Sequence, residues 1–377
     1  MVNYDLILGI LFYAFVAVFF YLNRKNVEVK GKILFIYRTK LGLKAMDKIA
    51  KVSPRFLKFL GSIGIIAGFF GMIFLFGFLI YYTGLLFLRP DTPAALAPLL
   101  PGVRIPGLPV LPFWFFIISV FVVVVIHEFS HGVFARLYNL EVKNSGLIFL
   151  GPIPGAFVEP DEKKMSKATA KAQLSILSAG SFANILLFAV IFIISTFALN
   201  PFANSLLKDN PIVVQEFEEG FPLEQSSIEK GEKILSINGE ENLNVLSFTE
   251  FMMGTKPGEE LLIKTDKREA TVIAAEHPKE ADFGYLGVII APGNFSVFEG
   301  IVFWFARLFF WIWMISFGIG LFNWLPLFIT DGGRMVYVAS NKFFKNKKKA
   351  VKIWSQVNFA CLLIILIQLG AYFIKLF

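Results

Sequence analysis

Apolar residues run through this chain in blocks of about twenty rather than at helical or strand spacing. Each block is long enough to cross a ~30 Å hydrocarbon core as a helix. They fall at residues 4–22, 60–88, 113–137, 172–198, 308–329 and 352–376, which predicts six spans. Between the fourth and fifth blocks the pattern changes. PIVVQEF (Pro211 to Phe217), KILSIN (Lys233 to Asn238) and ELLIKT (Glu260 to Thr265) alternate and read as short strands. Asn238 and Gly239 suit the hairpin turn between two of them, because both tolerate positive φ. A third pattern lies at Asn144 to Asp161, NSGLIFLGPIPGAFVEPD, apolar but broken by Gly and Pro. It is too interrupted for a helix and predicts two strands that dip into the membrane or lie on its surface. Non-helical backbone at membrane depth needs cover from protein or a water-filled cavity.

The expected fold is therefore an α-helical polytopic membrane protein with a membrane-associated β-hairpin or sheet and a small, mostly-β outer module. Its four parts are residues 1–112 (two spans joined by a basic loop), 113–200, the module at 201–296, and 297–377. Composition agrees, with 56% hydrophobic residues and 45 Phe in 377. The first span lacks a cationic leader and a small-residue cleavage site and reads as a retained anchor. Cys361 is the single cysteine, so neither an intrachain disulfide nor a cysteine metal site is available.

Charge orients the spans. Arg24 to Lys58 carries eleven Lys or Arg against Glu28 and Asp47, a cytoplasmic signature. Threading from there also places the loop 139–171 and the tract Lys342 to Lys349 (KFFKNKKK) inside. Residues 201–296, with seventeen acidic and eight basic residues, fall outside. The net charge of +8 is thus accounted for by topology and a lipid bilayer, with no nucleic-acid partner implied. A compact chain with one cysteine suits a prokaryotic plasma membrane.

The third block ends in VIHEFSHGVFARL (Val125 to Leu137). Residues four apart share a helix face, so His127 and His131 can converge on one ion, with Glu128 beside them. In this HExxH spacing two histidines bind zinc and the glutamate is the general base. His127 lies about 21 Å along the helix from Phe113, still within the bilayer, where ionisable side chains are costly and usually functional. Zn2+ needs a third protein ligand. Among acids in or near the apolar blocks, Asp331 in NWLPLFITDGGR (Asn323 to Arg334) is best placed, because Pro326 breaks that helix and Gly332 and Gly333 relax the backbone after the acid. Its other reading is a cap on a helix beginning at Gly332.

These residues resemble the site-2 protease family of intramembrane zinc metalloproteases (peptidase family M50), in which HExxH is completed by a later N-x-x-P-x-x-x-x-D-G motif. Asn323, Pro326, Asp331 and Gly332 hold those places, with Thr330 where Leu is common. Gly180 and Asn184 in SAGSFANILL resemble the family's G-P-x-x-N segment, with Ser181 in place of Pro. The likeness runs from about 113 to 350 and leaves the first two spans outside the minimal core. In the outer module, Gly231, Ile234, Ile237, Asn238, Gly239 and Glu240 resemble the G-D-x-I-x-x-I-N-G core of PDZ domains, with Glu232 for Asp.

The resemblance implies hydrolysis of a membrane-spanning segment of another protein, one already trimmed outside the membrane by a different protease. One zinc per chain would be held by His127, His131 and Asp331, with Glu128 catalytic. Asn323, Asn184, Gly151, Pro152 and Gly155 are the expected substrate contacts, the last three through a strand pairing with the unwound substrate. A metal transporter would need polar residues along several spans, and a silent peptide-binding adaptor would have no use for Glu128.

Overall fold

The computed structural model describes residues 4–31, 33–89, 91–103, 105, 108–151, 153–207, 210–241, 243–278, 280, 282–293, 296–344 and 346–376. The chain forms two compact units, residues 1–192 with 308–377, and residues 193–307.

The first unit begins with helix α1 (Tyr4–Leu22), strands β1 (Val27–Lys30) and β2 (Leu34–Thr39), and helices α2 (Leu43–Val52), α3 (Pro54–Leu88) and α4 (Phe113–Leu137). Strands β3 (Val142–Leu150) and β4 (Ile153–Pro160) come next, then α5 (Glu162–Lys167) and α6 (Ala170–Ile194). The second unit holds α7 (Asn200–Leu207), β5 (Ile212–Phe217), β6 (Lys233–Ile237), β7 (Glu240–Glu241), α8 (Val245–Gly254), β8 (Glu260–Thr265), β9 (Glu269–Ile273), β10 (Ala275–Glu276), β11 (Gly284–Tyr285) and β12 (Val288–Pro292). Helix α9 (Val297–Trp324) leads back to the first unit, which ends with α10 (Asp331–Phe343) and α11 (Lys347–Leu376).

Five helices among the described residues are long and apolar enough to cross a membrane: α3, α4, α6 with its continuation to Leu207, α9 and α11. The first expected span, 4–22, coincides with α1, of which Gly9–Leu22 is a shorter apolar stretch. The fifth expected span stops early. Pro326 has no N–H to donate, α9 ends at Trp324, and Asp331 opens a separate helix.

The broken apolar segment forms the hairpin β3–β4, in an antiparallel register that pairs Gly146 with Phe157 and Leu150 with Ile153. It belongs to a larger sheet of order β1-β2-β3-β4, so part of the basic segment expected to be loop supplies two strands. Aromatic contacts fasten α1 to this sheet, Phe19 on Tyr37 and Phe20 on Phe35 and Phe149. Gly151, at φ 56°, makes the hairpin turn, and Pro152 lies outside the described residues.

Helix α3 is no appendage to the core. A Cβ on Gly61 would come within 2.8 Å of the Phe134 ring and 2.9 Å of Ser175 Oγ, and one on Gly68 within 2.9 Å of Met335 Cε. With Gly64 and Gly71 these glycines form one stripe that lets α3 close on α4, α6 and α10, as small residues do where lipid gives no hydrophobic drive to helix association.

In the second unit the antiparallel sheet runs β12-β5-β6-β8-β9, with β7 paired to β6. Its core includes Ile212, Val214, Ile234, Ile237, Leu261 and Ile263. The β6–β7 turn has φ 49° at Asn238 and 81° at Gly239, both positive as a two-residue hairpin of this kind requires. Glu232 is fully buried and ion-paired to Arg268 Nε at 2.8 Å, with Thr265 Oγ1 donating to it at 2.8 Å.

Candidate metal centre

Two helices bring the ligands together. Helix α4 supplies His127 and His131 one turn apart, both buried, and Glu128 between them. The start of α10 supplies Asp331. His127 Nε2, His131 Nε2 and Asp331 Oδ2 form a triangle with all three sides 3.1 Å. Ligand atoms around a tetrahedral zinc with bonds of about 2.0–2.1 Å lie roughly 3.3–3.4 Å apart, so the triangle is the base of such a coordination shell to within a few tenths of an ångström.

Asp331 is free to point there because it is not the helix cap. Thr330 is the cap: its Oγ1 accepts the Gly333 N–H at 3.3 Å and donates to the Leu325 carbonyl at 2.5 Å. Gly332 and Gly333 are required for close approach rather than for a loosened backbone. They are helical, and a Cβ on either would overlap the main chain of Trp324 and Leu325, or of Leu327.

The outer nitrogens of both imidazoles are engaged. His131 Nδ1 donates to the Ile176 carbonyl at 2.7 Å. A carbonyl only accepts, so Nδ1 carries the proton and Nε2 of the neutral ring presents a lone pair. His127 Nδ1 lies 3.1 Å from the side-chain amide of Asn184, whose Oδ1 is buried without a partner. Amide oxygen and nitrogen are nearly the same size and exchange places by a half-turn about one bond, and with Oδ1 toward His127 the amide accepts Nδ1–H. Both rings then turn lone pairs on the point that Asp331 also faces. In that state three acceptors stand 3.1 Å apart, an arrangement that could hold a cation, and this donor set fits zinc.

Gly180 forms the wall of the site. A Cβ there would stand 2.5 Å from His131 Nε2 and 2.7 Å from His127 Nε2. Glu128 Oε2 accepts the backbone N–H of Val158 on β4 at 3.1 Å, which ties the sheet to the site helix.

The cluster opens on a cavity of about 440 Å³ lined by Glu128, Phe157, Val158, Asn323 and Asp331 among others. Arg38, Glu159, Glu162 and Arg334 also line it, with ion pairs Arg38–Glu159 at 3.5 Å and Arg334–Glu162 at 3.1 Å. At the neighbouring start of α5, Asp161 accepts the Lys164 N–H at 3.0 Å, a bond that holds its carboxyl below the usual carboxylate range.

Of the expected substrate contacts, Asn323 lines this cavity and Asn184 sits behind His127. Gly155 lines a different, apolar cavity, and Gly151 lies in the hairpin turn and lines neither. Reading the sequence missed the Ile176 carbonyl, the Val158 N–H and the Thr330 cap. Backbone groups carry no signature, but Thr330 preceding an acid and two glycines is a capping signal.

Apolar spanning helices and a two-histidine, one-carboxylate cluster beside a glutamate describe a membrane metallohydrolase. A family model for peptidase family M50 matches residues 115–365. The chain belongs to that family, the site-2-type membrane metalloproteases. It is similar to the uncharacterized protein MJ0971 of Methanocaldococcus jannaschii, 29% identical over 333 residues that make up 86% of this chain and 82% of that one.

Proposed function

We propose that the protein is a zinc-dependent endopeptidase that hydrolyses peptide bonds within or near transmembrane segments of other membrane proteins. The observation that carries the reading is the His127, His131 and Asp331 triangle with Glu128 on the adjoining helical position. Zinc, when bound, supplies Lewis acidity, activating water near neutral pH and polarising the scissile carbonyl. His127, His131 and Asp331 hold it, while Asn184 and the Ile176 carbonyl fix the two rings. Glu128 takes the proton of the attacking water and delivers it to the amide nitrogen as the C–N bond breaks. Its tie to Val158 keeps the carboxylate beside the edge strand.

A helical substrate hides its peptide bonds, so it must unwind to be cut. The outer strand β4, whose residues line both the metal cavity and the apolar cavity, supports docking of the unwound segment as an added strand. The basic segments favour a plasma-membrane protein with the site toward the cytoplasm and residues 201–296 outside. In that outer, PDZ-like module a groove of about 220 Å³ lined by Phe248, Met252, His277 and Tyr285 suits the trimmed end of a substrate already cut by another protease. Burial, with Glu218 nearby, pushes the Tyr285 phenol up to about 12, so the groove carries no phenolate.

Glu128→Gln tests the reading. It is expected to keep the metal and to lower cleavage of a model transmembrane substrate at least ~10³-fold, since the general base is lost. Cleavage by Glu128→Gln at the wild-type rate would refute it.

A further inference from the structure

Helix α2 and the start of α3 carry exposed cations that the fold leaves unmatched. Residues 40–60 hold six Lys or Arg and one acid, Asp47, which is already paired to Arg136 Nε of α4 at 3.1 Å. Lys44, Lys48, Lys51, Arg55 and Lys58 are exposed, and among the described residues none of them has a carboxylate within ion-pair distance. Lys143, Lys164 and Arg334, by contrast, each meet a carboxylate. The positive-inside rule asks for cations on one side of a membrane, but not for unpaired ones gathered on one helix face.

Three stripes run along α2. Residues three, four and seven apart share a face of a helix. Leu43, Met46 and Ala50 pack into the protein. Lys44, Lys48 and Lys51 form the second stripe, and Ala45, Ile49 and Val52 form a third that no part of the fold covers, with Val52 76% exposed. Phe56 and Phe59, in the first turns of α3, extend the uncovered apolar surface. A bare apolar stripe beside a bare lysine stripe is the pattern of a helix lying in a membrane surface, apolar residues toward the acyl chains and cations among the headgroups. Its place in the chain agrees, because only Ser53 separates α2 from α3, a helix long and apolar enough to span.

The inward face of α2 meets the site helix. A Cβ on Gly132, the residue after His131, would come within 2.5 Å of Met46 Sδ, so the methionine lies directly on α4. A helix of ten residues is marginal alone and depends on what its faces touch.

We propose that α2 docks on anionic lipid, with headgroup phosphates held by Lys44, Lys48 and Lys51 and with Ile49 and Val52 set among the acyl chains. The contact completes the two faces that the protein leaves bare, and through Met46 it secures the helix that carries His127 and His131 against the membrane surface. Anionic rather than zwitterionic lipid is required because the lysines have no carboxylate of their own to neutralise them. The inference goes beyond the protease reading and does not depend on it.

Hydrogen–deuterium exchange of the full-length protein in lipid nanodiscs tests this. Discs of phosphatidylcholine alone are compared with discs carrying about 30% phosphatidylglycerol. Exchange across Leu43 to Val52 is expected to be about tenfold or more slower in the anionic discs, and high salt is expected to reduce the difference. In the triple variant Lys44→Gln, Lys48→Gln, Lys51→Gln the two discs are expected to give the same exchange, with the second unit unchanged as a control for folding. Equal exchange of wild type in both discs, or full anionic protection kept by the triple variant, would overturn the proposal. Protection confined to discs that hold two copies of the chain would assign the bare face to a second copy and overturn it as well.

Discussion

Asp331 and Glu232 are both carboxylates withdrawn from water, with side-chain exposures of 12% and 0%. Glu232 meets a guanidinium at one oxygen and a hydroxyl at the other, so its charge is matched by a cation and the group serves the fold. Asp331 meets two imidazole nitrogens, and with both rings protonated at Nδ1 acceptor faces acceptor. Burial of a charge is common to both sites. What separates them is that one carboxylate faces a cationic side chain of the fold, while the other faces two imidazole nitrogens in an arrangement that could hold a metal ion.

Substitutions that act on one carboxylate and spare the other sharpen this contrast. The largest effect is expected from Gly180→Val, whose side chain would occupy the space of both imidazole edges. Metal binding and cleavage should both fall below detection in metal analysis and a cleavage assay, with unfolding of the second unit unchanged. Glu232→Gln comes next. It removes the negative charge facing Arg268, which keeps Glu229, and should destabilise the second unit by ~2 kcal/mol, read by denaturant unfolding in detergent, with zinc content unaltered. Asn184→Ala removes the group that orients His127 and should weaken zinc affinity about 10–100-fold in a chelator competition. Equal loss of metal in Glu232→Gln and Asn184→Ala would erase the distinction between the two carboxylates.

The site was more legible in the sequence than the sheet beside it. His127, Glu128, His131 and Asp331 are polar residues in apolar blocks, and one turn of helix is enough to relate the first three. Three strands of the second unit, β5, β6 and β8, were equally plain. With water on one face, β8 alternates exposed and buried residues along ELLIKT. The four-stranded sheet of the first unit has no such alternation: Val29, Ile33 and Ile153 are exposed and apolar, and β1 and β2 are masked further by the surrounding lysines and arginines. An apolar surrounding removes the contrast on which strand reading depends. The glycine stripe of α3 was readable, since Gly61, Gly64, Gly68 and Gly71 recur every three or four residues, but its meaning depends on which helices it meets. The HExxH spacing favoured Asp331 as a ligand over Asp331 as a cap, and the cap is Thr330.

Whether His127, His131 and Asp331 hold a metal ion is answered by metal analysis of the purified protein. Zinc per chain would be measured for wild type beside Asp331→Ala after identical dialysis. Zinc close to one per chain is expected in wild type and little in Asp331→Ala. Zinc absent from wild type even after reconstitution, or retained equally by Asp331→Ala, would contradict it.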